Sequence, residues 1–326
     1  MADVLLEEEN LGVSFGTQDG RTLRAVDNVD LRLSAGEVLG LVGESGCGKS
    51  TVARCVAGLL APTNGVVRMD GNDLGVKRSA EQRRAIQMVF QDPYSSLNPR
   101  LTVRHMLREL LRVHNLVPRP EMEDRCRELM QLVGMPVGAL DGLPVQFSGG
   151  QRQRIAIARA LAVEPRVIVA DEPVSSLDVS VQATILRLFE DLRARLGLTM
   201  IFISHNLAVV RHLSNRVAVM YLGRIVEQGH RDALFADARH PYTRALLAAA
   251  PRLHQGRLPR PEVTGEPPSP LDIPPGCRFH PRCSMAQDIC FHEDPLPQRV
   301  HGDSNDIVCC HFGDDPGRPA PVGSTE

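Results

Sequence analysis

Short, uninterrupted apolar runs recur between Val38 and about Leu247, at Val38 to Val42, Ile86 to Phe90, Val167 to Ala170 and Met200 to Ile203, with helical patterns between them. Runs of this length are strands covered on both faces, and strands alternating with helices build a parallel α/β sheet. Ahead of and beside them, Val4 to Phe15, Ala25 to Leu33 and Val66 to Met69 read as shorter strands of an antiparallel flank. Between Leu101 and Ala162 the pattern turns wholly helical. From Pro251 to Pro275 proline, glycine and arginine dominate, which marks a linker or an extended arm over the surface. A second small unit follows and ends near Phe312, and Gly313 to Glu326 have so little to bury that a disordered tail is expected. The expected division is a large α/β unit over 1–250 with a helical subdomain at about 101–162, a cysteine-rich extension over 251–312, and a tail over 313–326.

Composition narrows the class. A chain of 326 residues with 43% hydrophobic and 23% charged residues is a folded protein larger than one ordinary domain. Its formal charge of -2 gives no electrostatic reason to expect a nucleic-acid partner. No apolar run approaches the roughly 18 residues of a membrane-spanning helix. The opening Met1 to Asn10 is acidic, unlike a secretory signal, so a cytoplasmic location is expected. In that reducing setting eight cysteines argue against a disulfide framework. Lysine occurs only at Lys49 and Lys77 among many arginines, so the choice of lysine at position 49 carries information.

Gly43-Glu44-Ser45-Gly46-Cys47-Gly48-Lys49-Ser50-Thr51 follows the strand Val38 to Val42 and opens the helical run Thr51 to Leu60. This is the P-loop pattern in its required strand-to-helix setting. Its glycines let backbone N–H groups wrap a phosphate while the helix start adds positive potential. Lys49 then faces the β- and γ-phosphates, and Ser50 offers a hydroxyl to Mg²⁺. The run Val167 to Ala170 ends in Asp171-Glu172, which places Asp171 at a strand's carboxyl end as the expected Mg²⁺ partner. Glu172, one residue on, suits a general base for an attacking water. Taken singly, each of these motifs also fits a turn without a ligand.

Phe147-Ser148-Gly149-Gly150-Gln151-Arg152-Gln153-Arg154 closely resembles the signature sequence of ABC ATPases. Gln91 after an apolar strand, Ser176-Leu177-Asp178 past Glu172, and His205 after Met200 to Ile203 resemble that family in order and spacing. The resemblance implies an ABC-type P-loop NTPase fold: a RecA-like parallel core, an antiparallel β flank and a helical subdomain. It implies that Phe15 stacks on adenine, that Gln91 approaches Mg²⁺ and the attacking water, and that His205 contacts the γ-phosphate. It also implies that Asp178 helps join two subunits, and that Ser148, Gly149, Gly150 and Gln151 bind ATP held by the opposite subunit. The amphipathic helix behind these four is expected over Arg152 to Val163.

Three further stretches resemble the ATPases of oligopeptide and dipeptide importers. They are Val89-Phe90-Gln91-Asp92-Pro93-Tyr94-Ser95-Ser96-Leu97-Asn98-Pro99, His240-Pro241-Tyr242-Thr243-Arg244-Ala245-Leu246-Leu247, and the segment Asp171 to Gln182, where Ser176 replaces a commoner alanine. The resemblance implies a peripheral subunit on the inner membrane. Its expected partners are a second ATPase subunit, identical or related, two permease subunits and, indirectly, an extracytoplasmic binding protein. Tyr94 and Leu97 are expected to supply apolar contacts to a permease helix. Nickel, glutathione or oligosaccharide cargo stays open, as does a soluble ABC ATPase acting on nucleic acid or ribosomes.

Five of the eight cysteines fall between Cys277 and Cys310. Sulfur ligands in a small loop-rich unit suit an iron–sulfur cluster or zinc, and packed thiols are the third option. Resemblance to the importer branch implies a [4Fe–4S] cluster on Cys277, Cys283, Cys290 and Cys310. Cys309 competes with Cys310, and His280 or His311 is available to a zinc site.

Overall fold

The structure is a computed structural model and describes residues 4–249, 265–300 and 306–313. Most of the expected linker, residues 251–264, and the tail from 314 onward lie outside the described residues. In chain order the strands are β1 (Val4–Gly16), β2 (Thr22–Ser34), β3 (Val38–Val42), β4 (Asn64–Met69), β5 (Asn72–Asp73), β6 (Ile86–Val89), β7 (Val167–Asp171), β8 (Thr199–Ile203), β9 (Arg216–Tyr221), β10 (Arg224–His230), β11 (Gln298–Arg299) and β12 (Ile307–Val308).

Two sheets result. An antiparallel sheet runs β2-β1-β4-β5, as the early strands predict. The larger sheet runs β11-β12-β10-β9-β3-β8-β7-β6, with β9, β3, β8, β7 and β6 parallel. Its central strands β3, β7 and β8 are buried at every position, which is why their sequences do not alternate. Period two still sorts their side chains between faces. Val167, Val169, Ile201 and Ile203 pack with the antiparallel sheet and the helix Lys49–Val56. Ile168, Ala170, Met200 and Phe202 pack with the helical layer.

That layer contains Val103–Val113, Met122–Leu132 and Gly149–Leu161. The first is amphipathic: Val103, Met106, Leu107 and Leu111 are buried at helical spacing, and its N-cap Thr102 accepts a hydrogen bond from the His105 amide at 3.3 Å.

Two features depart from expectation. β9 and β10 form a hairpin through Leu222 and Gly223, whose φ values of 42° and 84° match a type I′ turn. An apolar residue in that turn hides it from the sequence. The extension, moreover, joins the main sheet: β12 pairs with β10, Glu227 opposite Val308 and Gln228 opposite Ile307.

Candidate functional site

The loop between β3 and the helix Lys49–Val56 is shaped by glycine. Gly48, the helix N-cap, has φ 112°, and a Cβ there would collide with the Ala25 carbonyl oxygen of β2. Lys49 is 5% exposed and turns back into the loop, donating to the carbonyls of Gly43 at 2.8 Å and Glu44 at 2.9 Å. The loop therefore presents a buried ammonium at its rim, next to helix amides that have no intrahelical carbonyl to bond.

The carboxylate pair arrives from β7. Asp171 ends that strand opposite Ile203 of β8 and is buried, and burial pushes its carboxyl above the ordinary range. Ser50 Oγ donates to Asp171 Oδ1 at 3.0 Å, which joins two of the three predicted Mg²⁺ positions across 121 residues. A hydroxyl and a carboxylate are the oxygen donors that fit Mg²⁺.

Glu172 has φ 45°, an uncommon backbone for a residue with a side chain, and its N–H donates to the Ile203 carbonyl at 3.1 Å. Sparsely populated backbone of this kind clusters at functional sites. The Glu172 side chain is 14% exposed, and its Oε2 lies 3.1 Å from His205 Nδ1. The predicted base and the predicted γ-phosphate contact are thus neighbours.

The remaining predicted residues occupy distinct elements. The Gln91 carbonyl accepts from Ser176 Oγ at 3.2 Å, tying the segment after β6 to the stretch before Asp178. Asp178 is the N-cap residue of the helix Val179–Leu196. Phe15 lies near the end of β1 and is 38% exposed, so it is a surface ring and not a core one.

Ser148 caps the helix Gly149–Leu161 in a reciprocal capping box with Gln151: the Gln151 amide donates to Ser148 Oγ at 3.3 Å and the Ser148 amide to Gln151 Oε1 at 2.9 Å. This helix starts three residues before the expected Arg152, so Gly149, Gly150 and Gln151 are its first turn. Phe15, Asp178 and Ser148 to Gln151 make no hydrogen bond to the Lys49, Asp171 and Glu172 group among the described residues.

One expected contact is corrected. Leu97 is 3% exposed and packs in the helical core, so it has no surface to offer a partner, whereas Tyr94 is 49% exposed beneath the Arg152 guanidinium.

Cys277, Cys283, Cys290 and Cys310 line one pocket, with Phe279, His280, Met285 and His311. Cys309 lines a neighbouring pocket, which Cys277 borders as well. Burial pushes the thiols of Cys277, Cys283 and Cys310 up to about 11. Among the described residues no three His, Cys, Asp or Glu are grouped to hold a metal ion, so neither the expected [4Fe–4S] cluster nor the zinc alternative finds a coordination group. His280 Nδ1 instead pairs with the Cys277 carbonyl at 2.9 Å, and His311 Nε2 with the Glu293 carbonyl at 3.0 Å.

Sequence reasoning missed the residues that hold the phosphate loop from behind. Buried Tyr242 accepts a hydrogen bond from the Glu44 amide through Oη at 2.9 Å, and Arg282 pairs with the Glu44 carboxylate. Tyr221, Tyr242 and Phe279 form an aromatic cluster there, with ring centroids 4.6 to 5.4 Å apart. The available signal was the stretch around Tyr242, which stood out in the sequence without a physical role.

Known proteins resemble this chain in sequence and in fold. A family model described as ABC transporter matches residues 26–175, and one described as oligopeptide/dipeptide transporter, C-terminal region, matches residues 226–290. A probable peptide ABC transporter ATP-binding protein of Sinorhizobium fredii is 49% identical over 322 residues, covering 95% of this chain and 90% of that protein. The oligopeptide transport ATP-binding protein OppF of Salmonella typhimurium is 45% identical over 328 residues, covering 94% and 96%. A dimeric ATP-binding cassette in a post-hydrolysis state bound to ADP and Pi superposes with a TM-score of 0.63 at 29% identity, covering 70% of this chain and 99% of that one. A part of the cbiONQ ABC transporter complex of Clostridium perfringens gives a TM-score of 0.63 at 29% identity, covering 72% and 91%.

Proposed function

This chain belongs to the ABC transporter ATPases, in the oligopeptide/dipeptide branch whose ATP hydrolysis energises peptide import, and we propose the following roles for its residues. The observation that carries them is the bond between Ser50 and Asp171, which brings the loop helix and the β7 end to one point. Gly43 to Thr51 wrap the phosphates, with Lys49 against the β- and γ-groups, and Phe15 stacks on adenine. Ser50, Asp171 and Gln91 hold Mg²⁺, which neutralises charge on the transferring phosphoryl group. Glu172 takes the proton of the attacking water, and His205 steadies the Glu172 carboxylate and reaches the γ-phosphate.

Ser148 to Gln151 point the positive end of their helix at a γ-phosphate bound by another subunit, and Asp178 lies at that junction. Two such chains, identical or related, close on ATP and reopen after hydrolysis. The chain is a peripheral subunit held by two permease chains and served indirectly by a binding protein, a reading supported by its likeness to peptide transport ATP-binding proteins; no helix among the described residues is long and apolar enough to cross a membrane. Tyr94 supplies the exposed apolar surface on the permease-facing loop.

Residues 1–250 form the motor and 251–312 the extension. For a [4Fe–4S] cluster on Cys277, Cys283, Cys290 and Cys310 the one favourable observation is that these four thiols line a common pocket. Iron and acid-labile sulfide analysis of anaerobically purified protein tests it, and absence of both leaves four packed thiols.

The motor reading is tested in the complex purified with its permease. Glu172→Gln is expected to keep ATP binding, lose steady-state hydrolysis by a factor on the order of 10² to 10⁴, and accumulate as a closed dimer with ATP. Near-normal turnover by that variant removes Glu172 as the base.

A further inference from the structure

The phosphate loop is gripped by the cysteine-lined extension, and we propose that Arg282 is a positioning residue for nucleotide binding that acts through Glu44. The inference rests on the nucleotide-site reading above. Arg282 sits in a short turn, His280–Arg282, and donates one nitrogen to each Glu44 carboxylate oxygen, at 2.8 and 2.9 Å. This two-point geometry fixes direction as well as distance. The guanidinium is aimed by its surroundings: it lies against the rings of Tyr221 and Phe279, 5.8 and 5.9 Å from their centroids, and its side chain is 6% exposed.

Glu44 is a node. Its carboxylate goes to Arg282, its N–H donates to Tyr242 Oη at 2.9 Å, and its carbonyl accepts from Lys49 Nζ at 2.9 Å. Displacing Glu44 therefore displaces an anchor of the lysine that meets the phosphates.

Charge gives a second argument. A carboxylate at the second position of an anion-binding loop repels the polyphosphate the loop must hold, and Arg282 neutralises it. The extension also reaches the loop through a neighbouring contact. Arg278 donates to the Leu222 carbonyl and pairs with Asp27, and Gly223, beside Leu222, donates its N–H to the Cys47 carbonyl at 2.9 Å. Arg282 thus holds the loop directly, while Arg278 braces the hairpin turn that bonds its other side. Arg282 touches no reacting atom, so its effect falls on affinity and not on the chemical step.

The test is titration of the full chain with a fluorescent ATP analogue and Mg²⁺, together with KM and kcat in the permease complex. Arg282→Ala is expected to weaken binding and raise KM for ATP about tenfold, the equivalent of one charge-assisted contact, with kcat at saturation within about twofold of wild type. Arg282→Lys, which keeps charge but loses the fork, falls between. Adding Glu44→Gln to Arg282→Ala removes the stranded charge but not the lost fork, and restores part of the affinity, a result that a role in folding alone does not give. Wild-type affinity in Arg282→Ala, or a deficit that Glu44→Gln leaves untouched in protein melting normally, overturns the inference. Failure of the wild-type chain to bind the analogue overturns the nucleotide reading instead.

Discussion

Glu8 shows how a single buried side chain sets a pH dependence. It sits on β1 with both carboxylate oxygens enclosed and without a hydrogen-bond partner, and burial, aided by the charge of Asp30, pushes its pKa from 4.5 up to about 8. Its stabilising contribution is complete below the unfolded value and is lost as pH rises toward the folded one. Between those two values the unfolded chain has released a proton that the folded chain retains, so stability falls as pH rises. Glu8→Gln removes this drain. The variant is expected to melt several degrees above wild type at pH 8 and close to it at pH 5, read by thermal scans at both values. An equal shift at the two pH values would refute the assignment. Unlike Glu8, Glu172 has a side-chain partner, the His205 imidazole 3.1 Å away.

At the scale of elements, the signature helix depends on a close approach. A Cβ at Gly150 would run into Val181 Cγ1 of the helix Val179–Leu196, so the two helices meet where only glycine fits. Gly150→Ala is expected to push the helix starts apart and lower ATP turnover at least tenfold, the scale of loss from a displaced catalytic group. Gly150→Ala with Val181→Ala should recover part of that loss, and turnover assays on the two variants decide. No recovery would place the defect elsewhere.

The helix itself was legible, but not its start, because two glycines of poor helical propensity disguise a first turn that the Ser148 and Gln151 capping box secures. The buried strands β3, β7 and β8 were legible because complete burial writes unbroken apolar runs. The placement of the phosphate loop before its helix and of Asp171-Glu172 at the end of β7 was legible because each motif is local in sequence. Tyr242 and Arg282 were not, since they reach Glu44 across 198 and 238 residues and no local pattern encodes such a meeting.

For the whole molecule, the parallel core gathers one half of the proposed chemistry at strand ends, while the signature helix starts elsewhere on the chain without a hydrogen bond to that group. Hydrolysis by the isolated chain is therefore expected to rise more than linearly with protein concentration until dimers saturate. Specific activity that stays constant across a hundredfold dilution would contradict composite sites. The grip of the extension on the loop has a consequence in time. The bond between Glu44 and Arg282 spans 238 residues, so a ribosome adding about 5 to 20 residues per second takes roughly 10 to 50 seconds to deliver the arginine after the glutamate. Through that interval the nascent loop carries an unneutralised carboxylate. On the proposed role of Arg282, the loop gains the last, about tenfold, part of its nucleotide affinity only once the extension has emerged and docked.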